Sequence, residues 1–288
     1  MYLAYFGFTK MPFGLTPNTQ FFCQLPSYEE ALNVLLFALK SGEGLIKISG
    51  EVGAGKTLLC RQLLKSLKEE WVTCYIPNPD LSPSALRYAI GQELGVAANP
   101  EDEHQLHALI FQRLLTLRQQ GKYPVLIVDE AQFLSDEALE TLRLLTNLET
   151  EEEKLLQIVL FAQPELDQRL QQHQLRQLKQ RIIYNYQLRP LTRQELDEYL
   201  TYRLIIAGAP GANLFTEKAR NLLFLASEGL PRLINILCHK ALLSAYGKGE
   251  TKVGYRAMLA AVKDTEAAKQ VVPEDKKKHS FIRWIKGV

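Results

Sequence analysis

Residues 50–57 read GEVGAGKT and match the pattern G-x-x-x-x-G-K-[ST]. No other stretch restricts the fold as strongly, because the pattern works only where a strand delivers a loop and a helix carries the chain away. Both flanks comply. The apolar run Leu45–Ser49 closes on Gly50 and reads as a buried strand, and Leu58–Lys68 has helical periodicity. Each fixed position has a physical task. Gly53 and Gly55 let the backbone approach phosphates and turn successive N–H groups inward. Lys56 supplies a mobile positive charge for β- and γ-phosphates, and the Thr57 hydroxyl is a ligand for Mg²⁺. The positive end of the following helix lies under the anion. The expected nucleotide-binding set is Gly50, Glu51, Val52, Gly53, Ala54, Gly55, Lys56, Thr57 and Leu58, with ATP or ADP as the ligand.

A second segment complements the first. Residues 125–131 read VLIVDEA, an apolar strand that ends in two adjacent carboxylates. Beside a phosphate loop, Asp129 is the expected acid on the Mg²⁺ side. Glu130 is then placed to orient and polarise an attacking water. An acidic helix cap is the competing explanation. The second acid favours turnover of ATP over a slow nucleotide switch.

The 288 residues suffice for two domains, and 47% apolar with 23% charged residues is ordinary for a soluble globular chain. Apolar strands alternate with amphipathic helices as far as Phe161. The helices are Ser27–Gly42 (Ser27 as N-cap, Glu30 at the capping-box position), Leu58–Lys68, Ser84–Leu94, Glu103–Gln119 and Asp136–Leu148. The strands are Leu45–Ser49, Trp71–Ile76, Tyr123–Val128 and Leu155–Phe161. This alternation predicts an α/β fold with a parallel sheet sandwiched by helices. From Thr192 only helices follow: Thr192–Gly208, Thr216–Ser227, Leu230–Gly247 and Gly254–Glu266. The expected division is an α/β core with an N-terminal arm over 1–190, an all-helical domain over 191–266, and a basic tail over 267–288.

A net charge of +2 does not argue for nucleic acid. Cys23, Cys60, Cys74 and Cys238 show no metal-binding spacing and read as reduced thiols. No secretory leader or apolar stretch long enough to span a bilayer is visible. The expected location is cytoplasmic, or at most peripheral on a membrane. The basic tail, KKKHSFIRWIK, interleaves basic and aromatic residues. Such a segment suits an anionic membrane surface, nucleic-acid phosphates, or solvent alone.

The phosphate loop, the strand ending in Asp129–Glu130, the polar residue after the next strand and the GLPR of the helical region together resemble an AAA+ ATPase. The opening MYLAYFGFTKMPFGLTPNTQFF, with LFAQPEL and EGLPRLINILCHKAL, is similar to the ExeA/GspA-type secretion ATPases. The lack of a visible spanning or peptidoglycan-binding extension resembles the branch that serves type IV pilus biogenesis. The resemblance implies a P-loop AAA+ core followed by a helical lid. It implies that Gln163 is a sensor bridging the γ-phosphate and the lytic water, and that Arg232 is a second sensor reaching from the lid. It implies an arginine finger acting on a neighbouring subunit, for which Arg181 fits better than Arg176. In that family the segment before the first strand, here Phe13–Pro17 and Tyr28, sits over the adenine; simple core packing is the alternative. The implied catalytic set is Glu130, Lys56, Gln163, Arg181 and Arg232, with Thr57 and Asp129 toward the metal. The implied partners are further copies of the chain, as a possible ring, and pilus or secretion assembly proteins. A DNA-binding ATPase of the transposition-helper or initiator type stands as the alternative, as does a nucleotide-gated interaction switch.

Overall fold

The computed structural model describes residues 2–42, 44–97, 103–209 and 213–270. Residues 271–288 of the basic tail therefore lie outside the described residues. The elements in chain order are α1 (Tyr2–Tyr5), α2 (Pro26–Lys40), β1 (Leu45–Gly50), α3 (Lys56–Ser66), β2 (Trp71–Ile76), α4 (Pro83–Glu93), α5 (Glu103–Gln119), β3 (Tyr123–Val128) and α6 (Asp136–Leu145). There follow β4 (Gln157–Ala162), α7 (Pro164–Arg169), α8 (Arg176–Arg181), β5 (Ile182–Leu188), α9 (Arg193–Ile206), α10 (Glu217–Ser227), α11 (Pro231–Gly247) and α12 (Tyr255–Lys263). They form two compact units, one of Gln24–Arg189 and one joining Met1–Cys23 to the chain from Pro190 onward.

The first unit is built on a sheet of order β2-β3-β4-β1-β5, parallel at every pairing. Every residue of β1 and β4 is buried, and in β3 all but Tyr123 are. Continuous apolar runs are what strands covered by helices on both faces require. The parallel α/β sheet anticipated from the alternating pattern is thus present. Strand β5 lies at the edge and alternates in burial. The apolar run at 155–161 joins the sheet only from Gln157, because the Leu155 N–H donates to the Leu148 carbonyl at 2.9 Å instead. Helix α2 begins at Pro26, with Leu25 as its N-cap and no side-chain cap. Proline at the first position, whose fixed φ suits a helix start, replaces the expected Ser27 cap. Glu30 accepts a hydrogen bond from the Tyr186 hydroxyl at 2.8 Å, tying α2 to β5. Elsewhere side chains cap the helices, with Ser82, Ser135, Thr192 and Thr216 each accepting from a backbone N–H of the first turn.

The second unit packs α9 to α12 with the first 23 residues. The Thr9 N–H donates to the Ala207 carbonyl at 2.8 Å, and the Arg203 guanidinium to the Pro12 carbonyl at 2.6 Å. Phe13 is buried edge-on against Phe215, with ring centroids 5.9 Å apart. The GLPR segment opens on Gly229, whose φ is 77° and whose carbonyl accepts from the Leu191 N–H at 2.9 Å. A Cβ at this position would sit 2.3 Å from the Leu191 carbonyl oxygen. Backbone strain and steric overlap therefore act together, and Gly229→Ala should destabilise the helical unit by about 2–3 kcal/mol. The check is the urea midpoint of that unit, and an unchanged midpoint would contradict the close approach. Among the described residues, no helix is long and apolar enough to cross a membrane. Cys60, Cys74 and Cys238 are buried free thiols and Cys23 is a half-buried one, as expected.

Candidate nucleotide site

In a parallel sheet, the loops that follow the strands share one edge, and ligands bind in the crevices there. Three strand ends matter here. Strand β1 delivers residues 50–57, β3 delivers Asp129 and Glu130, and β4, which lies between them, delivers Gln163.

The loop after β1 turns through Gly53 at φ 81° and Gly55 at φ 94°, and Gly55 is the N-cap position of α3. Glu51 and Val52 are exposed, Gly53, Gly55, Thr57 and Leu58 are half-buried, and Gly50 and Ala54 are buried. Behind the loop stands Tyr28 of α2. Its hydroxyl donates to the Ala54 carbonyl at 2.6 Å, and a Cβ on Gly55 would lie 2.8 Å from that oxygen. Gly55 is therefore required by its backbone and by its neighbour together. Tyr28 braces the phosphate loop, while Phe13 belongs to the core of the helical unit. Both residues are buried, Phe13 in the helical unit and Tyr28 against the phosphate loop.

Lys56 is buried, with its ammonium donating to the Gly50 carbonyl at 2.7 Å and the Glu51 carbonyl at 3.1 Å. Burial lowers its pKa, and Glu130, Asp129, Glu51 and Glu165 oppose that shift. Asp129 is also buried. Burial raises its pKa, opposed first by a hydrogen bond from Thr57 and then by the Glu130 N–H, which donates to Oδ1 at 3.0 Å. The Asp129 N–H donates to the Ile76 carbonyl at 3.0 Å, which fixes the end of β3 against β2. Thr57 and Asp129 thus present a hydroxyl and a carboxylate side by side, the hard oxygen donors that Mg²⁺ takes.

Glu130 has φ 52° and ψ 40°, a left-handed conformation uncommon for a residue with a side chain. Its Oε2 accepts from Gln163 Nε2 at 3.0 Å and from Gln132 Nε2 at 2.6 Å. Gln163 is the N-cap residue of α7. That helix is tied to the sheet by an ion pair between Asp167 and Lys47, a lysine buried in β1. Burial and the neighbouring Lys179 lower the Lys47 pKa to about 8. The sequence reading overlooked Gln132 and Lys47, since each sits inside an otherwise apolar run.

Lys56, Thr57, Asp129, Glu130 and Gln163 are therefore brought together at one edge. Arg181 is not with them. It immediately precedes β5, whose Ile182 pairs with Leu45, so it lies at the other end of β1 from Gly50, about 17 Å along the strand. There Lys154 first and Arg181 second hold the Glu149 carboxyl below its usual range. Arg176 is exposed at the start of α8. Arg232 belongs to the other unit, exposed in the first turn of α11.

Comparisons with known proteins agree with this architecture. A family described as an AAA domain matches residues 39–170. General secretion pathway protein A of Aeromonas hydrophila is 44% identical over 254 residues, which is 88% of this chain and 46% of that protein. The Mu-like prophage FluMu DNA transposition protein B of Haemophilus influenzae is 35% identical over 101 residues, 35% of this chain and 33% of that one. The chain thus spans less than half the length of either relative. Among solved structures, the Aeropyrum pernix ORC2 protein in its ADPNP–ADP complexes superposes with a TM-score of 0.63 at 18% identity, covering 90% of this chain and 74% of that one. A likeness at that identity concerns the fold. The phosphate loop and the paired acids of β3 thus lie inside the segment that matches an AAA domain, and the chain is similar in sequence to General secretion pathway protein A.

Proposed function

We propose that this chain is a Mg²⁺-dependent ATPase whose turnover drives assembly of a type IV pilus, of the mannose-sensitive haemagglutinin kind, or of a secretion machine at a bacterial inner membrane. The hydrogen bond from Thr57 to the buried Asp129 carries the chemical half of this reading. It joins the phosphate loop to the acidic strand end at the place where a metal–phosphate complex needs both. The 44% identity to a general secretion pathway protein supports the machine-assembly half. In this reading the loop N–H groups and Lys56 hold the β- and γ-phosphates, and Thr57 and Asp129 hold the metal directly or through its waters. Bound Mg²⁺ would neutralise charge that develops on the transferred phosphoryl group. Glu130 polarises the attacking water. Gln163 senses the γ-phosphate, its amide having both a donor and an acceptor to offer. Arg232 is the second sensor, on a lid built from helices α9 to α12.

The position of Arg181 at the far end of β1 favours action on the nucleotide of a second copy, as an arginine finger. ATP turnover per chain should then rise with protein concentration, as light scattering records growth from monomer to oligomer in ATP analogue. Arg181→Ala should lose at least about 100-fold in turnover and keep nucleotide binding. Undiminished turnover of Arg181→Ala in the oligomer would reject the role. Membrane or membrane-protein docking is assigned to residues 267–288.

One observation favours a second reading, the partial match to a DNA transposition protein. The same assay discriminates. Strong stimulation of ATPase activity by duplex DNA at moderate salt would place the chain with DNA-dependent ATPases, and its absence supports the assembly role.

A further inference from the structure

The side chain of Gln132 joins the acid of β3 to the polar end of β4. A backbone N–H can only donate, so the bond from the Gln163 N–H at 3.1 Å fixes the acceptor end of the Gln132 amide as Oε1. The NH₂ end then faces Glu130 and donates to Oε2 at 2.6 Å. The Gln163 amide donates to the same oxygen at 3.0 Å. The Gln132 backbone is itself held, because the Arg169 guanidinium donates to its main-chain carbonyl at 2.8 Å and to Asp136 at 2.5 Å. Two amides, each anchored by a different strand end, thus converge on one carboxylate oxygen.

We propose that Gln132 is a positioning residue for ATP hydrolysis, which orients the Glu130 carboxylate and transmits to it any displacement of Gln163. The proposal rests on the reading of Glu130 as the group that polarises the water. Two physical points favour it. The left-handed backbone at Glu130 sets where the side chain departs, while the orientation of its carboxylate is set by the donors that hold it. Catalytic groups lose activity steeply when misplaced by an ångström. A second donor on Oε2 narrows that orientation, and its other end is bonded to the very residue that the reading assigns to γ-phosphate sensing. A shift of Gln163 therefore reaches Glu130 along two routes, its own side chain and the Gln132 amide.

The test compares Gln132→Met, which keeps length and loses both polar ends, with Gln132→Glu, which keeps the acceptor and loses the donor. Each is read for kcat with Mg²⁺–ATP and for equilibrium binding of a fluorescent ATP analogue. Both variants should lose at least tenfold in kcat while binding stays within twofold. In a Glu130→Gln background, adding Gln132→Met should change the residual rate by less than twofold, because Gln132 acts through Glu130. A packing role would not give that result. Wild-type kcat in Gln132→Met, or binding and turnover lost together in both variants, overturns the proposal. Should Glu130→Gln alone retain wild-type turnover, it is the reading of Glu130 that fails; an inactive Glu130→Gln beside a fully active Gln132→Met rejects the amide clamp alone.

Discussion

Lys56→Ala should abolish nucleotide binding. The ammonium is buried at the start of α3 with two carbonyls of its own loop as partners, and four carboxylates favour its charged form. A charge already desolvated and held by a preformed loop meets a phosphate with little reorganisation. Hydrogen bonds between charged groups are worth about 1.5–3 kcal/mol each, so losing contacts to two phosphates weakens binding by at least about 100-fold. Isothermal titration with ATP and Mg²⁺ measures this directly. Tight ATP binding by Lys56→Ala would sink the assignment of residues 50–57 as a phosphate loop.

Glu130→Gln should separate binding from chemistry. The substitution keeps the shape of the side chain, and its amide oxygen remains available to the donors from Gln132 and Gln163. It removes the basic oxygen that draws a proton from water, which costs about 100- to 1,000-fold in kcat, or about 3–4 kcal/mol in the barrier. Affinity for ATP should stay within a few-fold. The same variant also tests the purpose of turnover. If it supported machine assembly fully, ATP would act as a binding signal and hydrolysis would be incidental.

What could be read in the sequence divides along physical lines. Local rules place the phosphate loop, because strand, glycine turn and helix N-terminus all lie within about twenty residues. Local rules also govern the caps at Ser82, Ser135, Thr192 and Thr216, each of which satisfies a donor a few positions away, although the sequence reading singled out only Ser27 as a cap. The buried strands declare themselves by largely apolar runs. The features not legible are those decided by distant partners. Helices α7 and α8 are six residues each, too short for a periodic signal. Strand β5 is made by its pairing to β1 and by the packing of Tyr184 and Tyr186 on α2. Lys47 looks like a blemish in an apolar run until Asp167 appears opposite it. Gln132 has meaning only once β4 brings Gln163 beside Glu130.

The insertion of β4 between β1 and β3 has a temporal consequence. Strand β1 pairs only with β4 and β5, both of which are translated more than a hundred residues after it. During synthesis the phosphate loop therefore emerges early, on a strand with no edge to join. Its geometry is completed only when residues 157–188 have left the ribosome and closed a long-range contact, the slow kind in folding. A nucleotide in the surrounding solution selects chains that have passed this point. By mass action it stabilises them, adding about 2.7 kcal/mol when its concentration is a hundred times its dissociation constant.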